Sequence, residues 1–120
     1  QVAVNDGKLL TKPGNFDNAF KQLCSESGKN VRFLTGLALL DSATQQSQVD
    51  MVITEVIFRQ LSDTEITEYL VNDPPYNCAG SFRSEGLGIT LFDAVYSSDP
   101  TALIGLPLIS LNKMLMRKLM

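Results

Sequence analysis

Histidine is absent from all 120 residues. That removes the imidazole base, the Ser-His-Asp and Cys-His nucleophile systems and the His-Glu-x-x-His metal site. Any general base must be Asp, Glu, Lys, Tyr or Cys. Reactive groups concentrate in Gly80-Ser81-Phe82-Arg83-Ser84-Glu85-Gly86-Leu87-Gly88, which sets hydroxyls, one cation and one carboxylate between glycines that let a ligand approach the backbone. The two acceptor oxygens of Glu85 match adjacent N–H donors on the edge of a planar base. The spacing fits no standard phosphate loop, and a polar turn between strands reads the same way. Lys12 stands in the loop Thr11-Lys12-Pro13-Gly14, just ahead of a helix start. An ammonium and a helix N-terminus there could together meet a phosphate, and a solvated loop lysine is the plain alternative. Asp6, Asp93 and Asp99 read as turn, strand-end and capping carboxylates, and Tyr69 and Tyr76 as packing residues. Met114, Met116 and Met120 read as core or interface. Cys24 and Cys78 lack zinc spacing and make no disulfide framework. Two reduced thiols is the preferred reading, with a single Cys24–Cys78 bridge left open.

Ten basic and 13 acidic residues leave a formal charge of −3, so no broad attraction to nucleic acid or to anionic lipid follows. A small phosphorylated ligand needs only a few local cations and stays open. Hydrophobic residues at 44% and charged residues at 19% describe a globular chain rather than a disordered one. No run is long and apolar enough to span a bilayer, and no charged start leads into an apolar signal segment. The expected location is the cytoplasm.

Several elements must position these groups. Gln1–Val4 and Lys8–Leu10 flank Asn5-Asp6-Gly7 and read as a hairpin. Asn15 caps a helix from about Phe16 to Ser27, with Phe16, Ala19, Phe20 and Leu23 on its apolar face and Gly28 beyond its end. Val31–Leu40 and Val49–Phe58 read as a long antiparallel pair joined by a polar turn over Asp41–Gln46. In the second strand Val49, Met51 and Ile53, then Val56 and Phe58, favour one side, with a slip near Glu55 that reads as a bulge. Ser62-Asp63-Thr64-Glu65 is a capping box opening a helix that carries Ile66, Tyr69 and Leu70 and stops at Asp73-Pro74-Pro75. Ile89–Tyr96 reads as a further strand and Asp99-Pro100 as a short helical turn. Pro107 opens a last helix with Leu108, Leu111, Leu115 and Leu119 on one side and late cations Lys113, Arg117 and Lys118. Interleaved helices and antiparallel strands predict an α/β, or mixed α+β, fold with flanking helices. The opening residues already read as strand, so natural sequence is expected upstream of Gln1.

On these segments the chain resembles the Maf-like nucleoside triphosphate pyrophosphatases. The matching stretches are Gln1-Val2, Thr11-Lys12-Pro13, Phe33-Leu34-Thr35-Gly36-Leu37-Ala38-Leu39, and Phe58-Arg59-Gln60-Leu61-Ser62 with Glu65-Ile66 and Tyr69. The closest are Cys78 through Phe92 and Gly105-Leu106-Pro107-Leu108. The resemblance implies a mixed sheet in a two-lobed fold, of which residues 1–120 are the C-terminal portion of a single domain. It also implies cleavage between the α and β phosphorus of a nucleoside triphosphate, with a divalent metal, Mg²⁺ or Mn²⁺. Lys12 matches the family lysine that faces the triphosphate, and Gln1 matches the glutamine directly after the catalytic aspartate. Glu85 matches the position that helps choose the base. Ser84-Glu85-Gly86 is similar to the 7-methyl-GTP branch, where the thymidine and uridine triphosphate branch carries glutamine. The chemistry agrees, because guanine offers N1–H and an amino group on one edge, and 7-methylation adds a positive charge that favours an anion.

The family's phosphate loop, catalytic aspartate, metal-binding acid and second lysine would all precede Gln1. No catalytic residue is therefore assigned within the chain, and the chain alone is expected to lack normal turnover. A dTTP or UTP pyrophosphatase, a non-catalytic nucleotide-binding module, and a fragment held in a homodimer through the last helix or a strand edge are the alternatives. The expected partner is a small nucleotide, with neither a nucleic acid polymer nor a membrane.

Overall fold

A computed structural model describes residues 1–119, with the side chain of Leu119 excluded, so the expectations for Leu119 and Met120 lie outside the described residues. Asp6 and Gly7 both take positive φ, 51° and 76°, as the tight two-residue turn between β1 (Val2–Asn5) and β2 (Lys8–Leu10) requires. Helix α1 (Phe16–Glu26) starts at Asn15, whose side chain accepts the Asn18 N–H at 2.9 Å. β3 (Asn30–Leu40) and β4 (Ser47–Phe58) form the long antiparallel pair. Helix α2 (Asp63–Asn72) carries the capping box in full: Ser62 Oγ accepts the Glu65 N–H at 3.1 Å and Glu65 Oε1 accepts the Ser62 N–H at 3.1 Å. The hydrogen bond from Arg59 holds the Glu65 carboxyl below its ordinary range. β5 (Phe92–Ser97) and α3 (Leu108–Leu119) complete the mixed α/β fold.

The sheet runs β2-β1-β3-β4-β5, antiparallel throughout. The core lies on one of its faces. Ala3, Leu10, Val31, Phe33, Val56 and Phe58 from the strands meet Ala19 and Leu23 of α1 and Ile66, Tyr69 and Leu70 of α2. Phe16 and Phe20 pack at its margin.

Three expectations need correction. The β3–β4 register runs unbroken from Asn30 opposite Ile57 to Leu40 opposite Ser47, so there is no bulge at Glu55. The irregularity lies between Ile57 and Phe58, against β5. With strict alternation, Val52, Thr54, Val56 and Phe58 turn inward, and Val49, Met51 and Ile53 point the other way, 77%, 59% and 51% exposed. Second, residues 87–91 form a 3₁₀ turn rather than the start of a strand, held by the Gly88 N–H on the Arg83 carbonyl at 3.0 Å and the Arg59 Nε–H on the Thr90 carbonyl at 2.9 Å. Third, α3 buries Pro107, Ser110 and Met114, and leaves Leu108 and Leu115 largely exposed.

Asp99 decides the setting of α3. Its carboxylate accepts the Ile109 and Ser110 N–H groups at 2.8 and 3.3 Å and the Thr101 hydroxyl at 2.6 Å. Burial pushes this carboxyl up, but the hydrogen bonds from Thr101, Ser110 and Ile109 outweigh it and hold it below the ordinary range. Asp99 thus anchors the last helix as well as the short turn after it (Ala102–Ile104).

Candidate functional site

The glycine-rich loop is fastened to the core by its own aromatic ring. Phe82 is buried and meets Phe33, Phe58 and Phe92 edge to face, with ring centroids at 5.2, 5.4 and 4.9 Å. Beside it Gly80 and Ser81 take positive φ, 80° and 63°. The buried Ser81 hydroxyl donates to Gln22 Oε1 of α1 at 2.6 Å. A plug of this kind fixes the backbone just ahead of Glu85, which is itself exposed to solvent.

Lys12 is exposed on the loop between β2 and α1. The Gly14 N–H donates to the Tyr76 carbonyl at 2.9 Å, which ties this loop to the stretch just ahead of the glycine-rich segment. Burial first, then the Glu85 carboxylate and Asp73, push the Cys78 thiol up, while Arg83 and Lys12 pull it down. Cys24 and Cys78 are both free thiols, so the bridge left open by the sequence does not form.

Gln1 directly precedes β1. Its side-chain Nε2–H groups serve Thr35 Oγ1 at 3.0 Å and the carbonyls of Ala102 and Leu103 at 3.1 and 3.2 Å. This ties the chain's first residue to the turn before α3.

Lys12 and Glu85 stand on an open surface rather than in a closed pocket. A cavity of about 890 Å³ lies elsewhere, between the β3–β4 turn and the end of α3, lined by Leu40, Asp41, Gln48, Leu115 and Arg117. A smaller one uses Arg59, Glu65, Tyr69 and Leu87. Neither is lined by Lys12 or Glu85.

Sequence reading missed Asp73, taken there only as a helix stop. Its carboxylate pairs with Arg83 at 3.2 Å and accepts the Leu87 N–H at 3.0 Å, under the same turn that carries Glu85. Tyr69, read as packing, also accepts the Arg83 N–H on its Oη at 2.9 Å. The only signal available was the pair of glycines at 86 and 88. Among the described residues no three His, Cys, Asp or Glu side chains come together as a metal site. None of the described residues is therefore assigned to the divalent metal implied by the resemblance. No helix among the described residues is long and apolar enough to cross a membrane.

Comparison with known proteins shows what the chain is similar to. A family profile described as Maf-like protein matches residues 1–118. A protein of Pseudoalteromonas atlantica named 7-methyl-GTP pyrophosphatase is 55% identical over 115 residues, 96% of this chain and 59% of its own length. Proteins with the same name from Pseudomonas savastanoi pv. phaseolicola and Idiomarina loihiensis are 52% and 53% identical over 98% and 96% of the chain. The chain spans 58–62% of the length of these three relatives.

Proposed function

This chain belongs to the Maf-like family, and from that premise we propose that it is the base-reading part of a nucleoside triphosphate pyrophosphatase acting on 7-methyl-GTP. The observation that carries the reading is the 55% identity, over 96% of this chain, to a protein named 7-methyl-GTP pyrophosphatase; the Gly14–Tyr76 bond, which ties the Lys12 loop to the stretch ahead of the glycine-rich loop, is consistent with it. The names of the relatives support the activity.

In this reading Glu85 accepts the N1–H and amino group of the base, and the positive charge of a 7-methylated purine strengthens the contact. Lys12 faces the phosphates, and Gln1 contributes to the substrate site from the start of β1. Water adds to the α phosphorus, and the α–β bridging oxygen leaves with pyrophosphate. An aspartate directly before Gln1 in the intact protein would take the proton from that water. Lys12 offsets charge that grows on the phosphate oxygens. A divalent metal, Mg²⁺ or Mn²⁺, belongs to the proposal and when bound would offset charge on the phosphates. A cytoplasmic location goes with the same reading.

The test is pyrophosphate release by the intact protein from 7-methyl-GTP, GTP, dTTP and UTP. Preference for 7-methyl-GTP is expected, and Glu85→Gln should shrink it by about tenfold, the loss of one charge-assisted contact. Preference for dTTP or UTP overturns the assignment of Glu85. Lys12→Gln should weaken all four nucleotides alike.

One observation favours a second reading, a part held in a homodimer. The sheet face opposite the core exposes Val2, Leu40, Val49, Met51 and Ile53 in one apolar row. Sedimentation over a range of concentrations decides it: a constant monomer mass removes this reading.

A further inference from the structure

We propose that Asp73, assisted by Tyr69, is the positioning residue that holds Glu85 in its base-reading orientation and limits Arg83 to a long, 3.8 Å pair with it. The inference rests on the assignment of Glu85 above and gives Asp73 and Tyr69 a role beyond the helix stop and packing that the sequence suggests.

The end of α2 grips the turn from Arg83 to Leu87 on both sides. Tyr69 Oη accepts the Arg83 N–H at 2.9 Å where the turn begins. Asp73 Oδ2 accepts the Leu87 N–H at 3.0 Å where it ends. Burial pushes the Tyr69 phenol up, so it keeps its proton and shares it with Asp73 Oδ2 at 3.4 Å. Between these points the Arg83 carbonyl accepts the Gly86 and Gly88 N–H groups at 3.1 and 3.0 Å. Glu85 stands in the middle of a turn fixed at both ends. The glycines are the room that this grip needs: a Cβ on Gly86 would collide with the Asp73 carboxylate, and one on Gly88 with the Arg83 carbonyl.

The charges are arranged to match. The Asp73 side chain is only 12% exposed and that of Glu85 is 47% exposed, so Asp73 is withheld from a ligand and Glu85 is offered to it. Arg83 stands between them, with Nη1 at 3.2 Å from Asp73 Oδ1 and Nε at 3.8 Å from Glu85 Oε1. The nearer carboxylate holds the guanidinium. Without the Asp73 charge, Arg83 would move onto Glu85 and cancel the anion that a cationic base seeks.

The experiment is titration of the intact protein, and of its Asp73→Asn variant, with 7-methyl-GTP and with GTP. Asparagine keeps the shape and removes the charge. The preference for 7-methyl-GTP should fall about tenfold in Asp73→Asn, the scale of one charged contact, while GTP affinity changes less than about twofold. Adding Arg83→Gln to Asp73→Asn should restore most of the lost preference, which a purely structural role would not allow. A wild-type preference retained in Asp73→Asn overturns the proposal, as does a double variant with no recovery. If the wild type shows no preference, the assignment of Glu85 fails, and the grip is judged by amide exchange alone. Leu87 exchanging about tenfold faster in Asp73→Asn than in the wild type, with Val56 unchanged, upholds the grip. Equal exchange overturns it.

Discussion

Glu26 is the most exacting test of the core. It is completely buried at the end of α1, and neither carboxylate oxygen has a hydrogen-bond partner. Its surroundings are apolar: a Cβ placed on Gly80 would lie 3.0 Å from Glu26 Oε1, 3.1 Å from the Phe33 ring and 3.3 Å from the Phe82 ring. Burial alone pushes this carboxyl well above its ordinary value of 4.5. The folded chain then keeps a proton that the unfolded chain loses above pH 4.5. Stability must fall as pH rises, by about 1.4 kcal/mol per pH unit, until the folded carboxyl itself ionises. Glu65, Asp50 and Asp99 act in the opposite sense, since their carboxyls are lowered. Their contribution is complete above the unfolded value and is lost only as pH falls through the folded one, so a fall in stability with pH above 4.5 belongs to Glu26. Glu26→Leu removes two unsatisfied polar atoms and should stabilise the chain at pH 7 by about 1–3 kcal/mol. Glu26→Gln should flatten the pH dependence and leave the unsatisfied polar atoms in place. Denaturant unfolding followed by circular dichroism between pH 5 and 8 reads both quantities. The reasoning is refuted if wild-type stability rises with pH relative to Glu26→Leu, or if Glu26→Leu is the less stable protein, because either result means an ionised, paired carboxylate.

Phe82→Ala should cost about 3–5 kcal/mol in denaturant unfolding, because the ring fills the space between Phe33, Phe58 and Phe92. Asp99→Ala should cost about 1–2 kcal/mol and lower the helical circular dichroism signal as the start of α3 frays. Val52→Ala should cost about 2 kcal/mol by thermal or denaturant unfolding, and Ile53→Thr less than about 0.5 kcal/mol. The reverse order would mean that β4 shows its other face to the core. Ser62→Ala should cost about 1 kcal/mol through loss of the cap, read in the same assay.

The legible parts of this protein are those settled between near neighbours in the chain. Asp6-Gly7 demanded a tight turn, Asn15 and Ser62 with Glu65 marked helix starts, and alternation and β-branching along residues 31–40 and 49–58 marked the two long strands. Such choices depend on backbone conformation and bonds within a few residues, which composition and spacing report directly. The glycine-rich loop stood out for the same reason, as did Glu85 and Lys12 within it and near it. Residues 89–91 misled because an apolar run serves a strand and a 3₁₀ turn equally, until the hydrogen bonds from Arg59 and Gly88 are known.

Three matters were decided only by the packed chain. Alternation in β4 defines two faces, but which of them is inside depends on where the helices lie, and they cover Val52, Val56 and Phe58 rather than Val49, Met51 and Ile53. The apolar side of α3 was misjudged because Asp99, nine residues before its start, sets how the helix lies by accepting its first N–H groups. Asp73 looked like the end of a helix because its partners, Arg83 and Leu87, are 10 and 14 residues further on. The sequence by itself determined the elements, the unusual loop and the family. Only the tertiary structure decided which faces are buried and what holds Glu85, because burial and long-range pairing depend on where distant segments meet, and local residue preferences do not encode that.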